Sequence, residues 1–265
     1  FNDLWNSYAR NLEHFVELLA IQEEIEYTVG GQESELLFFS ILFDDCLEKG
    51  KGILNGGVRY LGGTMETYGN VSTADSLTAI KKLVYDQKEI SLEELVKALD
   101  NDFGGNEMLR KKLLGMPKFG NDNSEADDMA VRVHEHVCHA ARKQIENTGL
   151  HNYLVVNINN DANTTLGKYT GASADGRKAH GTMSNGNSPM MGMDKSGVTA
   201  MLNSMLKIDT SIHAGAVQNM KFSREMLTRY REKLEALLAG YFSSGGAQAM
   251  LTVVGKNDLQ NAIAD

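Results

Sequence analysis

Thr170-Gly-Ala-Ser-Ala-Asp-Gly-Arg-Lys-Ala-His-Gly-Thr-Met-Ser-Asn-Gly-Asn-Ser-Pro-Met-Met-Gly-Met-Asp194 holds five glycines, one proline and almost no large aliphatic residues. Backbone this irregular, set between strand-like and helix-like segments, is functional or disordered when it occurs in a compact domain. By composition alone it reads as a flexible surface loop.

The segments around it are regular. Before it, Tyr153 to Asn160 is the best strand pattern in the chain, with β-branched residues suited to a pleated surface. Its two-residue period places Asn157 and Asn159 on one face, Val156 and Ile158 on the other. After it, a helix is expected from Val198 to Leu206, an extended piece from Gln218 to Phe222, and a helix opened by Ser223 running through Leu238. A buried strand is expected at Ala249 to Val254, then a last helix capped by Asn257. Towards the start, Leu4, Tyr8, Leu12, Phe15 and Leu19 mark an amphipathic helix from Asn2 to about Glu24. Gly30-Gly31 reads as a break, followed by a helix from about Glu33 to Glu48 that is apolar on most sides and so buried. Val58 to Leu61, between glycine pairs, reads as a short strand or extended segment. Capping patterns at Ser72/Asp75, Ser91/Glu94 and Ser124/Asp127 open further helices, and one more spans Glu107 to Leu114. Long helices alternating with a few strands make an α/β protein.

Composition sets the functional limits. The 265 residues are 42% hydrophobic and 23% charged, with a net charge of -9 and acids and bases interspersed. No basic stripe suits nucleic acid or an anionic membrane surface, and the longest apolar run, Leu36 to Phe43, is too short to cross a bilayer. Cys46 and Cys138 make no disulfide framework, so a reducing cytoplasm is expected. The ends at Phe1 and Asp265 fall within helical patterns, which reads as a piece of a longer protein.

Local motifs assign no chemistry. His134-Glu-His-Val-Cys-His139 carries Cys138 where a zincin needs its second histidine, and no metal site is expected. Gly171 to Lys178 lacks the Lys-Ser/Thr ending of a phosphate loop. Cys46 has acidic neighbours, which oppose thiolate formation.

An ordered set of blocks does carry a resemblance. Asp44-Asp-Cys-Leu-Glu-Lys-Gly50, Gly56-Gly-Val-Arg-Tyr60, Asp75 to Val84, Pro117-Lys-Phe-Gly-Asn-Asp122 and Asp175-Gly-Arg-Lys178 resemble the glycyl radical enzymes, the pyruvate formate-lyase family. Ser188-Pro189, Gly192-Met-Asp194, Gly197-Val-Thr-Ala200, Asn219-Met-Lys-Phe222, Tyr241-Phe242 and Gly245-Gly246 continue it in the family's order. The resemblance implies a helix-rich part of a ten-stranded α/β barrel, with residues 1–265 as the C-terminal half of a pyruvate formate-lyase-like domain lacking the radical glycine domain. It also implies radical C–C cleavage or dehydration of a small-molecule substrate, or C–N cleavage, in a cytoplasmic, often dimeric parent. There a glycyl radical is installed by an S-adenosylmethionine iron–sulfur activase, and the chain itself binds no cofactor. The family's Gly-Cys loop and Arg-Val-x-Gly-Tyr-like loop do not occur here, so neither Cys46 nor Cys138 is given a catalytic role, and the chain needs the remainder of its parent to be active. The other class of reading is a non-catalytic fragment or degenerate paralogue acting as a scaffold. By the same resemblance the strand at 154–160 lines the barrel pocket. Asn157 and Asn159 are then pocket candidates, or paired amides bracing the adjacent loop. The loop itself becomes fixed framework, with Asp175, Gly176 and Arg177 as turn formers and a tethering pair.

Overall fold

The computed structural model describes residues 1–34, 36–158 and 161–264. In chain order the elements are α1 (Asn2–Glu33), α2 (Leu37–Ser40), α3 (Cys46–Lys49), β1 (Gly63–Glu66), α4 (Asn70–Ile80), α5 (Leu92–Asp100), α6 (Glu107–Leu114) and α7 (Ser124–Lys143). There follow β2 (Tyr153–Asn157), α8 (Ala162–Gly167), α9 (Val198–Met205), β3 (His213–Phe222), α10 (Arg224–Thr228), α11 (Arg231–Ser243), β4 (Gln248–Val253) and α12 (Lys256–Ala264). The α/β expectation holds, and the paired strands run parallel. Two compact units are present: Phe1–Glu66 with Glu135–Val156 and Ile212–Ala214, and Thr67–His134 with Asn157–Ser211 and Gly215–Asp265.

In the first unit, β1 pairs with β2 in register Gly63↔Tyr153 to Glu66↔Val156. Helix α1 does not break at Gly30-Gly31. The pair lets the helix approach the 53–57 segment closely: a Cβ on Gly31 would lie 3.1 Å from the Leu54 carbonyl oxygen. Glycine here serves contact rather than interruption. The expected buried helix from Glu33 to Glu48 is instead two short pieces, α2 and α3, preceded by left-handed residues Leu36 (φ 44°) and Asp45 (φ 73°). Leu37 and Phe38 are 66% and 71% exposed, and only Ser40 and Cys46 are buried within the two helices. An all-round apolar sequence needs a body on every side to bury it, and this unit supplies one on a single side. The segment expected at Val58–Leu61 as a short strand or extended piece is extended at Val58. It joins the ladder at its end, where the Leu61 carbonyl accepts from the His151 N–H (2.7 Å) and the Gly63 N–H donates to the Asn152 carbonyl (2.8 Å), so that β1 begins at Gly63.

The second unit has a helical core of Ala79, Leu83, Leu95, Phe103 and Leu113 from α4, α5, α6 and their connections. Ser91 caps α5 with the full reciprocal box, accepting from the Glu94 N–H (3.1 Å) while the Glu94 carboxylate accepts from the Ser91 N–H (2.8 Å). In the other two boxes the aspartate answers to a tertiary partner, Asp75 to the Phe119 N–H and Asp127 to Lys207. Helix α4 starts at Asn70, leaving Ser72 and Asp75 inside it and buried. The α7 cap is Asn123, whose Oδ1 accepts from the Glu125 and Ala126 N–H groups (3.1 and 3.3 Å). Asp127 instead meets the Lys207 ammonium at 2.7 Å.

Strands β3 and β4 pair from Val217↔Gln248 to Phe222↔Val253. The expected burial of β4 is not found, since Met250 and Leu251 are 49% and 41% exposed. Among the described residues β4 pairs with β3, and its side chains are exposed or half-buried along its length. The helix expected to run from Ser223 to Leu238 is divided into α10 and α11 at Arg229-Tyr230, and the last helix starts at Lys256, ahead of Asn257.

Candidate functional site

The loop that follows α8 is pinned at both ends of its course through the second unit. Ala174 lies in the helical core. Gly176 has φ 95°, and a Cβ there would stand 2.7 Å from Leu114 Cγ, so the position requires glycine both for its backbone and for its space. The Arg110 guanidinium donates to the Gly176 carbonyl (3.0 Å). Asp175 and Arg177 are both buried and joined through a third residue. Arg177 Nε donates to Ser173 Oγ (3.1 Å), whose hydroxyl donates to Asp175 Oδ1 (2.5 Å). That same carboxylate oxygen accepts from the Arg177 N–H (3.2 Å). The Arg177 terminal nitrogens donate to the carbonyls of Gly171 (2.5 Å), Gly181 (2.9 Å) and Lys178 (3.2 Å). The tether therefore runs mainly to backbone, with Ser173 as the bridge, and among the described residues it includes no direct side-chain ion pair between Asp175 and Arg177.

Farther along, Ser184 to Ser188 is held by alternating polar side chains. Ser72 and Ser184 exchange bonds, each N–H donating to the other's hydroxyl oxygen (3.2 and 2.9 Å). The Asn219 N–H donates to Ser188 Oγ and its side-chain amide to Asn185 Oδ1, both at 2.9 Å. Asn157, fully buried at the end of β2, donates through Nδ2 to Oδ1 of the equally buried Asn187. Gly186 (φ 57°) brings the loop backbone up against the carbonyls of Val217 and Asn157. Asn157 thus has the geometry of a loop brace. Asn159 lies outside the described residues. Replacing Asn157 by alanine leaves Asn187 Oδ1 without its donor in the interior, at an expected cost of about 1–3 kcal/mol, readable as a lowered urea midpoint with an unchanged slope.

A second polar cluster lies on the core side of α4. Asp75 is fully buried, and its Oδ1 accepts from the Phe119 N–H (2.9 Å). Burial pushes this carboxyl up to about 7, against the opposing pull of Lys118 and the Phe119 N–H. Lys118 donates to the Leu113 carbonyl (2.9 Å), and its pKa is lowered by burial.

Between α8, the loop and β3 lies a recess of about 140 Å³ lined by Asn163, Asn185, Ser188, Asn219 and Lys221, with methionines among its apolar wall. Such a set can hold a hydroxylated or charged small molecule by hydrogen bonds; it contains no nucleophile matched to a base.

The remaining sequence candidates go elsewhere. Cys46 is buried so close to Gly57 that a Cβ there would lie 2.8 Å from its Sγ, and Cys138 is buried in α7. His136 sits 3.3 Å from the Glu13 carboxylate and beside Trp5. Asn187, Ser184 and Lys118 were not singled out in the sequence. The only signal for the first two was the Ser/Asn/Gly alternation of 184–188, which fits a polar edge as well as a solvated turn.

A model described as Pyruvate formate lyase-like matches residues 1–162, and one described as Glycine radical matches residues 183–265. Probable dehydratase YbiW of Escherichia coli is 35% identical over 83% of this chain and 29% of its own. Trans-4-hydroxy-L-proline dehydratase of Clostridioides difficile is 28% identical over 99% of this chain and 34% of its own. Among solved structures, the glycerol-bound B12-independent glycerol dehydratase of Clostridium butyricum superposes with a TM-score of 0.95 at 32% identity, over 100% of this chain and 34% of that one. The chain spans about a third of the length of these relatives.

Proposed function

Since the chain belongs to the pyruvate formate lyase-like family of glycyl radical enzymes, we propose that it forms the segment between the cysteine loop and the radical glycine loop of a parent that dehydrates a small hydroxylated metabolite. The observation that carries this reading is the whole-chain likeness to a glycerol dehydratase at 32% identity. Dehydratases recur among the relatives, alongside decarboxylases and a sulfite-lyase. Radical dehydration is therefore preferred to the acyl transfer of pyruvate formate-lyase itself.

The chain has neither a Gly-Cys nor an Arg-Val-x-Gly-Tyr sequence, and its two cysteines are enclosed in packing. No radical step is assigned to its residues. A glycyl radical installed in the parent by an S-adenosylmethionine-dependent activase supplies the hydrogen-atom abstraction. This chain supplies framework: the Arg177 and Asn157 braces fix the loop, and the recess beside it forms part of the substrate wall, with Asn159 as a further pocket candidate. The parent is read as a cytoplasmic enzyme, assembled as a homodimer, and the chain as inactive without the rest of it.

The test is electron paramagnetic resonance of the full-length parent after anaerobic activation, followed by assay of water loss from a 1,2-diol. A glycyl doublet with turnover is expected; a parent that forms no doublet would overturn the reading.

A further inference from the structure

Helix α1 is apolar on two faces, and only one of them is buried. Trp5, Ala9, Val16, Ala20 and Gly31 make the buried face. On the opposite face Phe15, Leu18, Gln22, Ile25 and Val29 recur at alternating steps of three and four residues, the spacing of a seam that receives a second helix. Its four apolar members are exposed, Phe15 at 61% and Ile25 at 58%. Its polar member, Gln22, donates to the Glu26 carboxylate (2.8 Å). From residue 15 to 29 the seam runs for about 21 Å at 1.5 Å per residue. A lone exposed apolar side chain is ordinary, but a continuous stripe marks an interaction face. The helix turns small residues such as Ala9, Ala20 and Gly31 inward and Phe15, Leu18 and Ile25 outward. That arrangement favours folding only when something covers the second face.

Charge selects the cover. Residues 11–33 include six glutamates and no lysine or arginine. Glu13 meets His136, Glu23 accepts from the Tyr27 hydroxyl and Glu24 from the Gly149 N–H. Glu26 and Glu33 are exposed along one flank of the seam and Glu17 towards the other. A second copy laid on this face would bring acid to acid, and like charges beside a seam oppose pairing. An anionic lipid surface is repelled for the same reason. What fits is an apolar helix flanked by lysine or arginine. We infer that the seam from Phe15 to Val29 is covered by such a helix, borne on the portion of the parent chain that precedes Phe1. The placement rests on the reading above, which sets the cysteine loop before this chain. The relatives are about three times its length, and a helix carried on the same polypeptide meets the seam at a high effective concentration.

Hydroxyl-radical footprinting of the native, unactivated full-length parent tests the cover without any substitution. Phe15, Leu18 and Ile25 are expected to be oxidised at least tenfold more slowly than the same residues in tryptic peptides. The occupant is then identified by photo-crosslinking from p-benzoylphenylalanine placed at position 15, one aromatic side chain for another. The expected product is an intrachain link to a lysine- or arginine-bearing peptide that precedes Phe1. Oxidation at the peptide rate, a link between two chains, or a link to any other part of the parent would overturn the inference. The radical reading is scored separately on the same preparation. A glycyl doublet with an open or self-paired seam sinks the seam assignment alone; a covered seam without a doublet sinks the enzyme reading alone.

Discussion

Arg177→Ala is expected to destabilise the second unit by about 2–4 kcal/mol, the net worth of a buried guanidinium making charge-assisted bonds. Four acceptors lose their donor together: Ser173 Oγ and the carbonyls of Gly171, Lys178 and Gly181. Gly171 and Lys178 are exposed, so water replaces part of the loss, and the effect stays below the sum of four bonds. The geometry needs a planar fork, since the four acceptors surround one group. Arg177→Lys, a point charge with three donors, is therefore expected to recover less than half of the loss. Urea unfolding followed by circular dichroism checks both variants. If alanine at 177 left the midpoint unchanged, the loop would be held by Ala174 and Gly176 packing alone.

That tether shows where the sequence was readable and where it was not. Signals that act within a few residues came through: the Ser91/Glu94 box opens α5, the Glu107–Leu114 helix ends at Gly115, and the alternation at 153–157 gives β2 its buried and half-buried faces. Signals that depend on a distant partner did not. Ser72 and Asp75 have the spacing of a cap, yet Ser72 answers to Ser184, 112 residues away, and Asp75 to Phe119. Glycine was ambiguous for the same cause. Gly30-Gly31 permits helix contact, while Gly176 permits a left-handed turn against Leu114. Composition made Thr170–Asp194 a flexible loop, and the family resemblance made it framework. In the fold Arg177 donates to the Gly171 and Gly181 carbonyls, and Ser184 and Ser188 bond to Ser72 and Asn219. Asn157 and Asn187, thirty residues apart, meet through no periodicity that either segment carries alone.

Asp75 is expected to give the second unit an inverted pH dependence. Its carboxyl is pushed up to about 7 by burial, against about 3.9 in an unfolded chain. The folded state therefore keeps a proton that the unfolded state has released. Stability from this group is complete below about pH 4 and falls as pH rises towards 7, by about 4 kcal/mol if no other group compensates. Most buried carboxylates act in the opposite sense, because pairing lowers their pKa. Here Lys118 donates to a backbone carbonyl, and desolvation outweighs its attraction. Asp75→Asn keeps an acceptor for the Phe119 N–H and carries no charge. Its stability is expected to be flat between pH 5 and 7, matching the native chain near pH 4 and exceeding it at pH 7. Asp75→Ala removes the acceptor as well and is expected to lie about 1–3 kcal/mol below Asp75→Asn at every pH. Denaturation midpoints measured across that range decide between desolvation and pairing. A native chain that instead gains stability from pH 4 to 7, and loses that gain in Asp75→Asn, would mean that Asp75 is ionised and held by Lys118.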